Sequence, residues 1–396
     1  MTIVMRVHRS VQRLCRRARL SSHEALLVED LVDGISEKKS CHLSEAARAC
    51  RASEPLRDTE RRLSQGLAAP SAALDSLPRA WRAEVTPVAA RFPYVAVDLS
   101  EISKPYARAF EHQDVVRDAS LPGKPTTPGY WLLTINAVNE QHTTLPLTLQ
   151  AFSTNDPDYA GWFETIHRAI AEARAHVSAA ALWLFDRGFD GQDMFRVLDG
   201  FGLRWVIRLR ANRGVDVEVG DPRTAMRQNV RLFANALRTP HAVGIQYVDK
   251  STHVWATHGL SFGYAPVRIA QRAYTLLVVR GTRGEDWLLL TSERIRDANH
   301  AARLVRAYVA RWGAEEWLRC VKQCTRLEDL RVRSWTSIKR LVFLAMLAMA
   351  LQAVWLIARP SSVQALLRRV KSFFDTVPFL HYRLWEGTAA ALAHGS

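Results

Sequence analysis

Five residues, Tyr308, Arg311, Glu315, Arg319 and Lys322, share one run, Tyr308-Val-Ala-Arg311-Trp-Gly-Ala-Glu315-Glu-Trp-Leu-Arg319-Cys-Val-Lys322. At about 100° per residue of helix they fall within an arc of roughly 80°, so one carboxylate stands inside a row of cations. A stripe of that composition can hold a divalent metal while the cations grip the phosphates of the same substrate, as metal-dependent phosphodiester chemistry requires. The same spacing also suits a plain exposed helix with an Arg311–Glu315 ion pair at i,i+4. Two further carboxylates close short apolar runs: Asp98 after Tyr94-Val-Ala-Val, and Asp186 after Ala181-Leu-Trp-Leu-Phe. The carboxyl ends of strands in open α/β sheets are where ligand sites gather. Three acids converging there can hold two metal ions, one activating an attacking oxygen and one stabilising the leaving oxygen at phosphorus. For either aspartate alone, ordinary strand-end or turn chemistry stays open. Asp190 and Asp193 read as caps of the following helix.

The elements that must position these acids follow from the texture of the chain. Residues 1–90 carry apolar residues at helical spacing and form a helical domain. Within it, residues 43–50 start at Ser44 as N-cap, a break follows at 52–55, and a basic helix over 56–67 bears Arg57, Arg61 and Arg62. Helix, short turn and basic second helix is the outline of a helix-turn-helix DNA reader, and also of many helical bundles. From Phe92 the pattern becomes strands at 94–99, 130–138 and 145–152, a helix over 157–175, a strand at 181–186, a helix over 192–198 and a strand at 204–209. Three strands in series and then alternating helix and strand describe an α/β fold with a mixed sheet flanked by helices, here over residues 91–210. Residues 211–296 read as a β-rich insertion, with runs at 242–248, 267–269, 274–279 and 287–291. Residues 297–358 return to helix: one over 297–328 carrying the stripe, then an apolar one over 341–358. The latter is long enough to cross a membrane, but a helix apolar all round also suits the centre of a soluble domain, which is the reading adopted. Residues 359–396 give a helix over 363–374 and an aromatic stretch at 379–385, a short segment with a possible part in dimerisation.

Composition limits the partners. The chain has 396 residues, 48% of them hydrophobic, and a formal charge of +15. Such a charge suits a polyanion, nucleic acid above all, and does not suit an ordinary metabolic enzyme. From Asn299 to Ser396 there are fifteen Lys or Arg against six Asp or Glu, so the region of the stripe is among the most basic. Cys15, Cys41, Cys50, Cys320 and Cys324 show neither a zinc spacing nor a secreted disulfide framework. With no signal-peptide pattern in residues 1–20, the expectation is a cytoplasmic, nucleoid-associated bacterial protein without membrane contact.

The Tyr-x2-Arg-x3-Glu-x6-Lys pattern is met at every position by Tyr308, Arg311, Glu315 and Lys322, and in this the chain resembles the insertion-sequence-four group of bacterial DDE transposases. Asp186-Arg187-Gly-Phe is similar to that group's second-aspartate motif, and Asp98 fits its first. The resemblance covers about residues 94–358 and implies a ribonuclease-H-like core interrupted by the β-rich insertion. It implies Asp98, Asp186 and Glu315 as catalytic metal ligands, with Glu316 excluded by spacing. Tyr308, Arg311 and Lys322, joined by Arg319, would hold DNA phosphates beside the cut end. Trp287, opening Trp-Leu-Leu-Leu-Thr-Ser292, either stacks on a flipped base, as in members similar to the transposon-five enzyme, or is a buried strand aromatic. Arg187, Arg208 and Arg210 are further candidates for DNA contact. The implied cofactors are two Mg²⁺ or Mn²⁺ ions, and the implied partners are double-stranded transposon ends, target DNA and a second copy of the chain in the DNA complex. The chain departs from the transposon-five pattern in having only about 36 residues after Pro360, which puts dimer contacts by that route in doubt. The leading function is a cut-and-paste DNA transposase acting on terminal inverted repeats. A catalytically inactive transposase-derived DNA-binding protein and a ribonuclease-H-like nuclease are the competing readings.

Overall fold

A computed structural model describes residues 3–50, 54–118, 122–123, 125–217, 226–248, 255–282, 284–358, 382 and 384–385. Six helices open the chain: α1 (Ile3–Arg17), α2 (Ser22–Lys38), α3 (Leu43–Ala49), α4 (Leu56–Ala68), α5 (Ala72–Asp75) and α6 (Leu77–Ala89). Local chemistry sets their ends. Ser21 and Glu24 form a reciprocal capping box at α2. α3 begins after His42, which makes no side-chain cap, so Ser44 lies inside the helix and is not its N-cap.

The strands β1 (Tyr94–Ser103), β2 (Asp114–Arg117), β3 (Thr126–Val138) and β4 (Thr144–Phe152) precede α7 (Trp162–Arg174). β5 (Leu182–Phe185), α8 (Gln192–Gly200) and β6 (Arg204–Arg208) follow. β4 pairs with β3 and β3 with β1 antiparallel, whereas β1, β5 and β6 run parallel. This is the mixed sheet expected from the texture. Residues 214–291 hold β7 (Gly214–Val217), β8 (Met226–Asn229), α9 (Val230–Ala236), β9 (His241–Val248), β10 (Trp255–Ile269), β11 (Arg272–Arg280) and β12 (Trp287–Thr291). They are β-rich as expected, and they continue the same sheet: β12 pairs antiparallel with β6 (Leu289 opposite Arg208, Thr291 opposite Val206), and β11 and β10 extend outward.

Alternation along the strands gives the sheet two buried faces. Ala96, Leu184, Val206, Leu277 and Leu289 pack with Leu304, Val305 and Tyr308 of α10 (Ala298–Ala310). Val95, Val97, Ile135, Trp183, Phe185, Trp205 and Ile207 belong to a larger core shared with α7, α8, the N-terminal helices and α12 (Trp335–Ala358). The N-terminal helices are fastened to the sheet by polar contacts as well. The Trp81 indole N–H donates to the Pro146 carbonyl at 2.9 Å. The buried Arg340 of α12 reaches Asp75 at 2.9 Å and the carbonyls of Leu67, Ala69 and Ser71. α12 is long and apolar enough to cross a membrane, yet 89% of its apolar stretch is buried inside the protein, which is where an all-round apolar helix belongs in a folded domain.

The single helix expected over 297–328 is two. α10 ends at Ala310 and α11 (Trp312–Cys324) starts at Trp312, with Arg311 between them. The chain tightens there, the Arg311 N–H bonding the Tyr308 carbonyl and the Ala314 N–H the Arg311 carbonyl, each three residues back. Gly313 makes the close approach possible. A Cβ there would lie 3.1 Å from Thr144 Oγ1 and 3.2 Å from the His142 backbone, at the turn between β3 and β4. The expected helix at 363–374 lies outside the described residues, as does most of the C-terminal segment; Trp385 is buried and its indole donates to the Cys324 carbonyl at 3.1 Å.

Candidate active site

The parallel ladder between β1 and β5 ends at Val97 opposite Phe185, so Asp98 and Asp186 are the next residue on two neighbouring strands and stand side by side. Alternation points both toward the face covered by α10 and α11, because Ala96 and Leu184 lie on that face. Asp98 does not close its strand as expected. β1 runs on to Ser103, paired only with β3 beyond this point, and Asp98 marks the end of the parallel ladder instead. Asp186 is still extended (φ −80°, ψ −179°), and its Oδ1 accepts from the Gly188 N–H at 2.7 Å, capping the 3₁₀ turn Arg187–Phe189. A Cβ at position 188 would sit 2.9 Å from that oxygen, which explains the glycine in Asp-Arg-Gly-Phe. Asp190 caps no helix. Its buried carboxylate accepts from the Arg210 N–H at 2.7 Å and pairs with Arg213, while Gly191 is the N-cap of α8.

Glu315, in the first turn of α11, joins the pair through Arg311. The Arg311 guanidinium lies 2.6 Å from Glu315 Oε1 and 3.8 Å from Asp98 Oδ1, and its cationic carbon sits 5.4 Å from the centre of the Tyr308 ring. Arg311 is 6% exposed and Tyr308 2%, so both lie behind the carboxylates. Burial pushes the Asp98 carboxyl above the usual carboxylate range; Arg311 opposes the rise, and the nearby Glu315 and Asp186 carboxylates add to it. Asp98 and Glu315 thus share one cation, with Asp186 near enough to act on the Asp98 carboxyl. Among the described residues no three His, Cys, Asp or Glu are gathered tightly enough to ligate an ion as they stand.

The other sequence-derived residues fall into two groups. Lys322 points along α11 toward the far part of β1, with its Nζ 2.8 Å from Glu328 and 3.6 Å from Glu101. Arg319 is exposed and paired with Glu316. Trp287 is 7% exposed in β12, edge-on to Tyr308 (5.6 Å between ring centres) and Trp312 (5.8 Å), so its ring is held in the core in this conformation. Arg187, Arg208 and Arg210 come together with Asp186 around one open groove of about 960 Å³. Glu285, from the turn between β11 and β12, lies 3.5 Å from Arg187 and 3.9 Å from Arg208. Glu101 and Glu285 escaped the sequence reading. Glu101, three residues beyond Asp98 on β1, carried some signal, whereas Glu285 sits in a polar turn with none.

The family described as Transposase DDE domain matches residues 129–351, more than half of the chain, and the protein belongs to that family. No curated protein matches the chain. Among solved structures, a piggyBac transposase synaptic complex with hairpin DNA, determined by cryo-EM, is similar at 10% identity and a TM-score of 0.38; the alignment covers 86% of this chain and 58% of that one. Transposases of the DDE family use divalent metal ions, and three carboxylates offer the hard oxygen donors that such ions prefer.

Proposed function

We propose that this protein is a cut-and-paste DNA transposase of the insertion-sequence-four group, which binds terminal inverted repeats, cleaves them with water and joins the freed 3′-hydroxyl to target DNA. The observation that carries this reading is the convergence of Asp98 and Asp186, from adjacent parallel strands, with Glu315 from α11. The order β4-β3-β1-β5-β6, with the first three strands antiparallel and the last three parallel, supports a ribonuclease-H-like core.

Asp98, Asp186 and Glu315 are the residues that would hold two Mg²⁺ or Mn²⁺ ions, whose charge would activate the attacking oxygen and stabilise the leaving one. The burial of the Asp98 carboxyl beside two like charges supports that role, because such a group gains from a nearby cation. Arg311, pinned under Tyr308, orients Glu315 toward Asp98. Arg187, Arg208 and Arg210 supply positive charge where a phosphate backbone would reach Asp186, and Lys322 and Arg319 extend that charge along α11. DNA ends, target DNA and a second copy of the chain are the partners in this reading.

One observation favours a second reading, a transposase-derived DNA-binding protein without catalysis: Arg311 already engages two of the three acids, and no ready ligand cluster exists among the described residues. Incubating the purified protein with its element's end DNA and Mg²⁺, and resolving products on a denaturing gel, separates the two. The transposase cuts at the element end and Asp186→Ala binds without cutting. Binding without cleavage by the unaltered chain would leave the second reading, and cleavage by Asp186→Ala would overturn the assignment of the acids.

A further inference from the structure

The groove beside Asp186 has two walls from different parts of the chain. One is the core: Asp186, Arg187 and Gly188 after β5, and Arg208, Leu209 and Arg210 at the end of β6. The other is α9, a short helix of the region between β6 and α10, which contributes Arg231, Ala234 and Asn235, while Gly284, Glu285 and Asp286, at the β11–β12 turn, and Leu288 of β12 add to the lining. Arg231 and Asn235 are four residues apart, hence on one helical face, and both are exposed. Arg231 forms no ion pair with a described residue, in contrast to Arg187 and Arg208, which both approach Glu285.

α9 is firmly placed. Asn229 caps its start by accepting from the Arg231 N–H at 2.9 Å. Val230 and Ala234 are buried in the main core. At its other end Arg280 donates to the carbonyls of Ala234, Asn235 and Leu237 at 2.8–3.2 Å. One Arg280 nitrogen from β11 thus shares its N–H bonds among carbonyls at the C-terminal end of α9, so the cation and amide facing the groove are presented on a fixed support.

We propose that α9 is the second wall of a DNA channel, with Arg231 contacting a backbone phosphate, and Asn235 a sugar or phosphate oxygen, of the strand that leads into Asp186. This rests on the transposase reading for its substrate, DNA. The walls suit a polyanion: Arg187, Arg208, Arg210 and Arg231 outnumber Asp186, Glu285 and Asp286 around the groove, and two of those acids are placed to serve the chemistry or to neutralise core arginines. A strand seated there is gripped from both sides, which fixes its register at the carboxylates.

The test is the salt dependence of binding to a short mixed-sequence duplex, read with the full chain and without cleavage. Each phosphate contact adds about 0.9 to the slope of log affinity against log salt, so Arg231→Gln should lower the slope by roughly one, and Arg231→Lys should restore it. Arg168→Gln, on α7 and outside the groove, serves as the control for losing one exposed arginine. An unchanged slope in Arg231→Gln, or an equal fall in Arg168→Gln, would overturn the proposal. Because binding is measured apart from cutting, failure of the transposase reading shows as absent cleavage by the unaltered chain, whereas failure of the α9 wall shows as an unaltered slope with cleavage intact.

Discussion

At the scale of single residues, the site turns on Arg311. Its guanidinium is the only cation paired with both Asp98 and Glu315 among the described residues, and it is itself buried while Glu315 keeps about a third of its side chain exposed, 37%. Removing one member of a part-buried ionic group strands the others, at a cost of about 1–3 kcal/mol once the solvent exposure of Glu315 is allowed for. Arg311→Met, which keeps volume and loses charge, should therefore lower the thermal midpoint markedly in EDTA. A divalent cation entering between the same acids supplies the missing charge, so the loss should shrink when Mg²⁺ is present. An equal loss with and without Mg²⁺, followed by thermal melts, would show that no cation enters there. The three acids stand out as candidates in the sequence because each carries local signal: an apolar strand before each aspartate and a fixed spacing around Glu315. What spacing could not reveal was depth. Tyr308 and Arg311 share the stripe with Lys322, yet they lie behind the carboxylates, because the chain tightens at Arg311 and turns that part of the stripe inward.

At the scale of elements, alternation and helical period disclosed β1, β3 to β6, β9, β11, β12, α7 and α8, but not the short β2, β7, β8 and α9. Long-range register stayed hidden. Nothing in Trp287-Leu-Leu-Leu-Thr291 says that it pairs with β6; that follows from closing a sheet through residues far apart in sequence, and it is also what buries Trp287 against Tyr308 and Trp312. The same junction has a polar clamp. Arg204, at the start of β6, donates to both oxygens of Glu293, just beyond β12, at 2.7 and 3.1 Å. Those hydrogen bonds hold the Glu293 carboxyl below its ordinary range. A carboxyl whose folded pKa is depressed contributes stability that is fully present above its unfolded value, about 4.3, and that is lost as pH falls through the folded value. Glu293→Gln should thus lower stability at neutral pH and lose less than the unaltered chain on acidification below about pH 4. Parallel acid-unfolding curves, offset but of the same steepness, would show that the clamp contributes nothing to acid sensitivity.

At the scale of the whole molecule, the helical region before Phe92 looks separable in sequence, where texture changes abruptly from helix to strand. In the structure it shares its core with the sheet. α2 and α4 pack on α12, whose residues from Leu341 to Ala350 are all buried, and Arg340 ties α4 and α5 to the same helix. A fragment starting at Phe92 would expose that apolar surface, so deletion is a poor way to ask whether the N-terminal helices read DNA. Point variants are better. Arg62 is already committed to Asp30 at 2.8 Å, whereas Arg57 and Arg61, exposed on α4, form no ion pair with a described residue. If α3 and α4 read the element's ends as a helix-turn-helix reads its site, Arg57→Ala with Arg61→Ala should reduce the preference for end DNA over random duplex by about tenfold or more, the scale of one or two lost base contacts. The thermal midpoint should hardly move, since neither side chain is buried. Equal preference for end DNA in the double variant and the unaltered chain would move sequence recognition away from α4 and leave these helices as a scaffold for α12.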